Sequence, residues 1–255
     1  MELDSLSTAY FAFLSFVLGL IFGSFCNAWA WRIAHDESIA RGRSHCPKCG
    51  HILAVKDLVP LFSWLFLRGR CRYCGEKISK RYPLAEGLLG LYFLSLFLVY
   101  GFSWACLRLL VLGCLLLVCS LVDWETMLLP DPLMIAAAAA ALLRFTEDGG
   151  WKSALIGFAA VSLPLLLLVL AMDRILKKEA MGGGDIKLIA VLGLHFGAGR
   201  TLMLLIFACV IGLAGAGIAK KRKGTPFPFG PSISLAAWLT AIVGEPLLNW
   251  YLSLF

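Results

Sequence analysis

Eight long apolar runs dominate this sequence and leave little chain for any large soluble domain. They lie at 8–33, 84–100, 103–122, 132–145, 153–172, 186–198, 201–219 and 231–254. A transmembrane helix needs about 20 apolar residues, so eight of them use about 160 residues of the 255 in the chain. Only 15% of the residues are charged, whereas a soluble domain is about a quarter charged. The sequence therefore predicts an all-α, polytopic membrane protein with about eight transmembrane helices, and it excludes a soluble enzyme.

The charged residues predict how these helices are oriented. The acidic N-terminus, residues 1–4, is unlike the basic start of a cleavable signal peptide, so we expect the first run to be a retained helix. The polar stretch 34–83 carries ten Lys and Arg against four Asp and Glu, and smaller basic clusters lie within 173–184 and 220–223. The positive-inside rule places all three regions in the cytoplasm, and eight alternating spans then place both termini outside. We attribute the basic charge to topology and anionic lipid headgroups, because no nucleic-acid-binding motif accompanies it.

Four of the nine cysteines form two C-x-x-C pairs in the loop after the first helix. The pairs are Cys46–Cys49 and Cys71–Cys74, with 21 residues between them. Two such pairs can place four thiolates around one tetrahedral Zn²⁺, and the reducing cytoplasm disfavours disulfides. Four sulfurs leave no open coordination position, so we expect a structural zinc that folds the loop. We therefore divide the chain into a first transmembrane helix (1–33), a cytoplasmic zinc loop (34–83) and a helical membrane core (84–255).

Two aspartates are predicted to lie at the cytoplasmic edge of the membrane. Asp123 ends the third apolar run, and Asp185 begins the sixth, directly after Gly182–Gly184. Carboxylates at membrane depth are costly and are candidates for function. Two of them at one depth could share a proton, so that one acts as a base on water and the other as an acid, without a metal. An alternative stays open for Asp185 as the N-cap of the sixth helix, and Asp131, before a proline, is predicted to cap the fourth.

Several blocks of distinctive sequence are spread along the chain. They are Gly23–Phe25 with Asn27 and Arg32, Ser44–Cys49, Pro60–Leu65, Leu67–Cys74, Arg81–Glu86, Asp123–Asp131, Gly182–Leu188 and Pro228–Pro231. In identity and order these blocks resemble the type IV prepilin peptidases, or leader peptidase/N-methyltransferases, over almost the whole chain. The chain departs from the family pattern at Cys26, where an aliphatic residue is usual, and it lacks a proline after Ile33.

This resemblance implies a membrane-embedded aspartic peptidase of the G-x-G-D type, with Asp123 and Asp185 as the catalytic pair. It implies cleavage on the cytoplasmic side, after the glycine that ends the short basic leader of type IV prepilins and type II secretion pseudopilins. The four-cysteine loop is that of the bifunctional members, so the resemblance also implies N-methylation of the new N-terminus with S-adenosylmethionine. The residues that bind this cofactor are not assigned by the sequence. Supporting roles are expected for Glu125, Gly182, Gly184, Lys187 and Glu86.

Two other functions are compatible with a polytopic membrane protein. An ion-coupled transporter is expected to have ionisable residues near mid-bilayer and broken helices in paired positions. A non-enzymatic scaffold would use the zinc loop to bind a cytoplasmic partner. Neither function accounts for two aspartates at equal depth on the cytoplasmic edge. We therefore expect a multi-pass peptidase of the bacterial inner membrane that acts on prepilins or pseudopilins and contacts membrane lipid.

Overall fold

A computed structural model describes residues 4–38, 42–146, 150–177, 181–218 and 227–254. Within these ranges the secondary structure is helical, and the only strand-like pairings are two isolated bridges in the loop between the first two apolar runs. The basic cluster predicted at 220–223 lies outside the described residues, and so does Lys178 from the cluster within 173–184.

Each of the eight apolar runs forms a helix, and one further short helix lies in the loop. In chain order the helices are α1 (Ser5–Ala34), α2 (Phe62–Phe66), α3 (Arg81–Tyr100), α4 (Trp104–Thr126), α5 (Asp131–Ala140), α6 (Gly150–Leu176), α7 (Gly183–Phe196), α8 (Ala198–Ile218) and α9 (Gly230–Leu252). The loop helix α2 follows a 3₁₀ turn at Val55–Asp57, and a 3₁₀ segment at Ala141–Thr146 continues α5.

Over the described residues, six helices are long and apolar enough to cross a membrane: α1, α3, α4, α6, α8 and α9. The other two, α5 and α7, have 10 and 14 residues and correspond to the fourth and sixth apolar runs. At a rise of 1.5 Å per residue, α7 is about 21 Å long, against about 30 Å for the hydrocarbon core of a bilayer. The prediction of an all-α, polytopic membrane protein is confirmed, with two of its eight helices shorter than a full span.

The chain forms two compact units, residues 1–101 and residues 102–255. In the first unit α1 packs along α3 where glycines let the two backbones meet. A Cβ atom on Gly19 would lie 2.6 Å from the carbonyl oxygen of Leu89, and one on Gly23 would lie 2.7 Å from Cα of Glu86. The G-x-x-x-G spacing of Gly19 and Gly23 is a pattern by which membrane helices pack closely. The sequence predicts three segments: a first transmembrane helix (1–33), a zinc loop (34–83) and a membrane core (84–255). That division stays a prediction.

In the second unit the short helix α7 lies among α5, α6, α8 and α9. Its side chains Leu188 and Leu192 are fully buried. Gly157 of α6 and Gly193 of α7 meet backbone to backbone, because a Cβ atom on Gly157 would lie 2.3 Å from the carbonyl oxygen of Gly193. Gly197 has a φ of +76°, which a glycine adopts without strain, and this conformation turns the chain directly from α7 into α8.

Candidate active site and metal centre

Asp123 is a buried carboxylate in the last turn of α4. The residue is 5% exposed, and its Oδ2 accepts a hydrogen bond from the backbone N–H of Gly230, the first residue of α9, at 2.9 Å. A Cβ atom on Gly230 would lie 2.8 Å from the same oxygen. The backbone of α9 can therefore approach the carboxylate this closely only because residue 230 has no side chain.

Asp185 lies in the first turn of α7, outside the six candidate spans, and its side chain is half-buried. Gly182 occupies the N-cap position of this helix, so the alternative in which Asp185 is the N-cap is wrong. Burial raises the pKa of the Asp185 carboxyl to about 6, and the charge of Asp123 adds to the increase. The end of α4 and the start of α7 therefore bring the two carboxyl groups within electrostatic reach of each other.

The glycines before Asp185 allow two close approaches. A Cβ atom on Gly182 would lie 3.3 Å from Oδ2 of Asp185, and one on Gly184 would lie 3.1 Å from Cβ of Leu129. Larger residues at either position would press on the carboxylate or on the segment that links α4 to α5. Glu125, two residues after Asp123, is exposed at the end of α4. Two residues are about 200° apart around a helix, so Glu125 faces a different side of α4 from Asp123.

Lys187 and Asp131 form an ion pair between α7 and α5. The Nζ of Lys187 lies 2.7 Å from Oδ1 of Asp131, and the two side chains are 59% and 65% exposed. Pro130 holds the N-cap position of α5, and Asp131 is the first helical residue, so the predicted capping role of Asp131 is wrong. Exposed ion pairs contribute about 0–1 kcal/mol, and this pair directs the Lys187 side chain toward α5.

Glu86 lies in the first unit and links α3 to the loop. It is 6% exposed, and its Oε2 accepts the backbone N–H of Leu61 at 2.8 Å. Leu61 has a φ of +59°, a conformation that costs a bulky residue about 1–3 kcal/mol and persists only where the surrounding structure holds it. The buried Glu86 carboxylate supplies such a constraint. Its hydrogen bond to Leu61 therefore indicates that Glu86 holds the loop backbone in place.

The four loop cysteines converge, and their sulfurs all lie within 4.8 Å of one another. The Sγ atoms of Cys46 and Cys74 are 3.9 Å apart, close to the edge of about 3.8 Å that a tetrahedron of sulfurs has around zinc at a Zn–S distance of about 2.3 Å. The two knuckles share one backbone arrangement, since Gly50 donates to the carbonyl of Cys46 at 2.8 Å and Gly75 to that of Cys71 at 2.9 Å. The cluster therefore has the donors and spacing for one tetrahedral metal ion.

Asp57 supports the second knuckle, a role that the sequence did not indicate. Its side chain is 3% exposed and lies 2.7 Å from Nε of Arg72, and it also accepts from the Tyr73 hydroxyl at 3.0 Å and the Ala54 N–H at 3.2 Å. Burial alone would raise the pKa of Asp57, but the hydrogen bonds from Arg72, Tyr73 and Ala54 hold it below its usual value. Asp57 is thus an ionised anchor between residues 54–57 and the Cys71–Cys74 knuckle.

Comparison with family models matches residues 17–100 to the bacterial peptidase A24 N-terminal domain and residues 110–217 to the type IV leader peptidase family. A prepilin leader peptidase/N-methyltransferase of Neisseria gonorrhoeae is 33% identical over 270 residues, which cover 94% of this chain and 94% of that protein. The chain belongs to the type IV leader peptidase family. The family resemblance seen in the sequence is therefore confirmed.

Other members of this family with the same name match over most of their length. The protein of Aeromonas hydrophila is 37% identical over 220 residues, which cover 84% of this chain and 76% of that protein. The protein of Bacillus subtilis strain 168 is 33% identical over 247 residues, which cover 94% of this chain and 97% of that protein. No solved structure matches the chain. Membership of a leader peptidase family does not favour the transporter and scaffold interpretations.

Proposed function

We propose that this chain is an aspartic endopeptidase that removes the leader of type IV prepilins or pseudopilins. The observation that carries the proposal is the pair of carboxyl groups Asp123 and Asp185. The first lies at the end of α4 and the second at the start of α7, and the charge of one contributes to the raised pKa of the other. Two carboxyl groups that share a proton can divide acid and base roles between them.

The reaction adds one water molecule across the scissile peptide bond. In the proposed division of roles Asp123, whose Oδ2 accepts the Gly230 N–H, is the base that takes a proton from the water. Asp185, whose pKa is raised, gives its proton to the carbonyl oxygen as the water oxygen bonds to the carbonyl carbon. The intermediate then collapses. The C–N bond breaks, the amine nitrogen takes the proton from Asp123, and one hydroxyl returns a proton to Asp185.

The predicted place of this pair at the cytoplasmic membrane edge suits a substrate with a basic leader. The apolar helix of a prepilin would lie in the bilayer, and its leader would lie at the cytoplasmic surface, with cleavage after the glycine between them. Glu125 is exposed two residues after Asp123 and is proposed to contact the leader at the cytoplasmic surface. Gly182 and Gly184 support the reaction by keeping side-chain bulk away from Asp185, whereas the exposed ion pair of Lys187 with Asp131 adds only a minor link between α7 and α5.

The four-cysteine cluster is proposed to hold a structural Zn²⁺ through Cys46, Cys49, Cys71 and Cys74. A tetrathiolate site has no open position for substrate, so the ion would fold the loop rather than act in catalysis. Glu86 is proposed to support the loop through Leu61. The relatives named above also carry N-methyltransferase in their names, and we propose that this chain methylates the new N-terminal amine with S-adenosylmethionine. The contacts of the described residues assign no residue to that cofactor.

The proposed location is the bacterial inner membrane, with the carboxyl pair and the zinc loop on the cytoplasmic side and both termini outside. The purified full-length chain in detergent, incubated with a prepilin, should produce a shorter, leaderless product on a gel. Asp123→Asn and Asp185→Asn should each abolish cleavage without unfolding the protein, because an amide neither accepts the proton of water nor shares one. The double variant should be no worse than either single one, since the pair acts as a unit.

Asp131→Asn is the matched control. It removes only an exposed ion pair with Lys187, so most of the activity should remain. If Asp131→Asn is inactive while Asp123→Asn cleaves, the catalytic carboxylate in the 123–131 segment is the other one. Full activity in all three variants, or no cleavage by the unsubstituted chain, would rule out the proposed mechanism.

A further inference from the structure

The short helix α7 ends in an unusual way. Three arginines from three different elements each donate to one of its last three carbonyls. The contacts are Nη1 of Arg144 to Leu194 O at 3.0 Å, Nη1 of Arg108 to His195 O at 2.8 Å, and Nε of Arg200 to Phe196 O at 3.0 Å. The three arginines come from the 3₁₀ segment after α5, from α4 and from α8. We refer to Arg108, Arg144 and Arg200 as the arginine clamp.

The clamp is a buried polar network rather than a surface feature. Arg108 and Arg144 are each 4% exposed, and His195 is completely buried. Nη1 of Arg108 also lies 3.3 Å from Nδ1 of His195, and Nε2 of His195 lies 2.9 Å from the carbonyl oxygen of Ala137. An arginine can only donate and a carbonyl can only accept, so His195 is the neutral tautomer with its proton on Nε2. One chain of hydrogen bonds thus connects α4, α7 and α5.

The physical need for such a network follows from the length of α7. The last carbonyls of any helix lack partners within the helix, and lipid offers none. A helix of 14 residues is too short to bring both of its ends to water across a bilayer core of about 30 Å. Guanidinium groups satisfy these carbonyls and place positive charge at the negative end of the helix dipole. Intramembrane charged residues are costly, and the proposed proton-transfer chemistry does not use these three.

We infer that the arginine clamp is a set of positioning residues that fixes the depth and orientation of α7 and thereby keeps the Asp185 carboxylate within reach of Asp123. This inference rests on the proposed function, in which those two groups are the catalytic pair. Asp185 lies in the first turn of the helix that the clamp holds by its last turn. Because α7 is a single short rigid element, loss of a contact at its end shifts the carboxylate at its start. A misplacement of about 1 Å can cost about a hundredfold in rate.

The test compares Arg108→Met with Arg108→Lys in the full-length protein, with cleavage of a prepilin measured over a range of substrate concentrations. Arg108→Met should lower kcat about tenfold or more and leave KM within about twofold, because the clamp touches neither substrate nor the reacting atoms. Arg108→Lys keeps the charge and a donor and should recover part of kcat. Ser162→Ala is the matched control: the hydrogen bond that it removes, from the buried Ser162 to Phe158, stays within α6, so its kcat should stay at the original level.

Hydrogen–deuterium exchange provides a readout that does not depend on activity. In Arg108→Met the amides of residues 187–193, which donate within α7, should exchange at least about tenfold faster because the helix is held less firmly, and in Ser162→Ala they should not. Accelerated exchange without any prepilin cleavage by the original protein would retain the positioning role and reject the proposed function. Cleavage with unchanged kcat and exchange in Arg108→Met would overturn the clamp. If Arg108→Met does not fold, Arg200→Met repeats the test, since its side chain is 21% exposed and its loss is milder.

Discussion

At the scale of single residues, the contact between Asp123 and Gly230 shows how one backbone N–H orients a buried carboxylate. The two residues are 107 positions apart in the chain, and the N–H of one meets Oδ2 of the other at 2.9 Å. The hydrogen bond orients the carboxylate that we propose as the general base. The missing side chain of Gly230 is therefore part of the site.

We expect Gly230→Ala to lower the cleavage rate by about tenfold or more while the protein stays folded. The added Cβ would lie 2.8 Å from the terminal Oδ2 atom of Asp123. The Asp123 side chain can rotate away from it, so the fold should survive, but the carboxylate would then leave the position that the reaction requires. The measurement is the kcat of the purified variant beside its thermal unfolding midpoint. Gly217→Ala on α8, where a Cβ meets no atom within 4 Å, is the control and should match the original protein. Normal cleavage by Gly230→Ala would mean that the contact does not orient the base.

The sequence identifies a site residue only when that residue belongs to a short local motif. The four cysteines, Asp123 and Asp185 each lie in a short motif, so their candidacy was visible in the sequence. The Gly230 contact was not, because no local pattern joins residues on α4 and α9. Nor were the true partners of Asp131 and Lys187, since a helix-cap pattern describes only the neighbours of a residue. Tertiary packing paired Asp131 with Lys187 instead.

At the scale of elements, the zinc loop is built from two copies of one knuckle. Each has a C-x-x-C pair, a glycine with positive φ directly after it, and an isolated bridge across its base, His45 with Ile52 and Arg70 with Lys77. Asp57 and Glu86 then tie the loop together and to α3. The metal cluster and these polar anchors are separate supports, so loss of one should loosen the loop without releasing it entirely.

Cys46→Ser or Cys74→Ser should remove about one Zn²⁺ per chain and loosen residues 44–76, because three thiolates and a hydroxyl hold zinc far less well than four thiolates. Elemental analysis of freshly reduced protein gives the zinc content, and limited proteolysis reports loop order. Peptidase activity should fall less than loop order does. Cys209→Ser, on α8 outside the cluster, should keep its zinc. A reduced preparation of the original protein without metal would contradict the prediction.

The helices themselves were predictable because long apolar runs have one stable form in lipid, where backbone groups must bond within the segment. The residues at which the helices end were less predictable. The fourth and sixth apolar runs were already short for a transmembrane span, and they form the two short helices α5 and α7. The arginine clamp was not predicted, although Arg108 within the apolar run 103–122 carried a signal: a charge inside a predicted span is itself a candidate for function. The other two arginines of the clamp come from the 3₁₀ segment after α5 and from α8, and no sequence pattern brings the three together.

At the scale of the whole molecule, the contacts of Asp123 restrict the topology of the second unit. The end of α4 contacts the start of α9 through Gly230 and is within electrostatic reach of the start of α7 through Asp185. These three helix ends must share one side of the membrane, whichever side that is. Since α9 is long enough to span, its other end lies on the opposite side. The positive charge of residues 34–83 and 220–223 predicts that the shared side is the cytoplasm.

A reporter fused after Lys223 should therefore read cytoplasmic, and reporters fused after Gly101 or at Phe255 should read extracytoplasmic. Paired phosphatase and fluorescent-protein fusions measure this, since each is active on only one side of the inner membrane. The Gly101 fusion is the internal control, because an extracytoplasmic reading there shows that α3 crosses the membrane outward and α4 crosses it back. A cytoplasmic reading at Phe255 together with one at Lys223 would be incompatible with α9 as a span.

The shortness of α7 has a further consequence, which concerns the supply of water. Its neighbours α6 and α8, with 27 and 21 residues, are level with it at the Gly157–Gly193 contact and the Gly197 turn. At 1.5 Å per residue both therefore extend about 10 Å beyond its first turn. From these lengths we expect the start of α7, with Gly182 and Gly183 exposed, to lie at the floor of a crevice between α6 and α8. A hydrolase in a bilayer needs water at its active site, and the hydrocarbon core contains almost none. Such a crevice would let water from the aqueous phase reach a carboxyl group below the membrane surface.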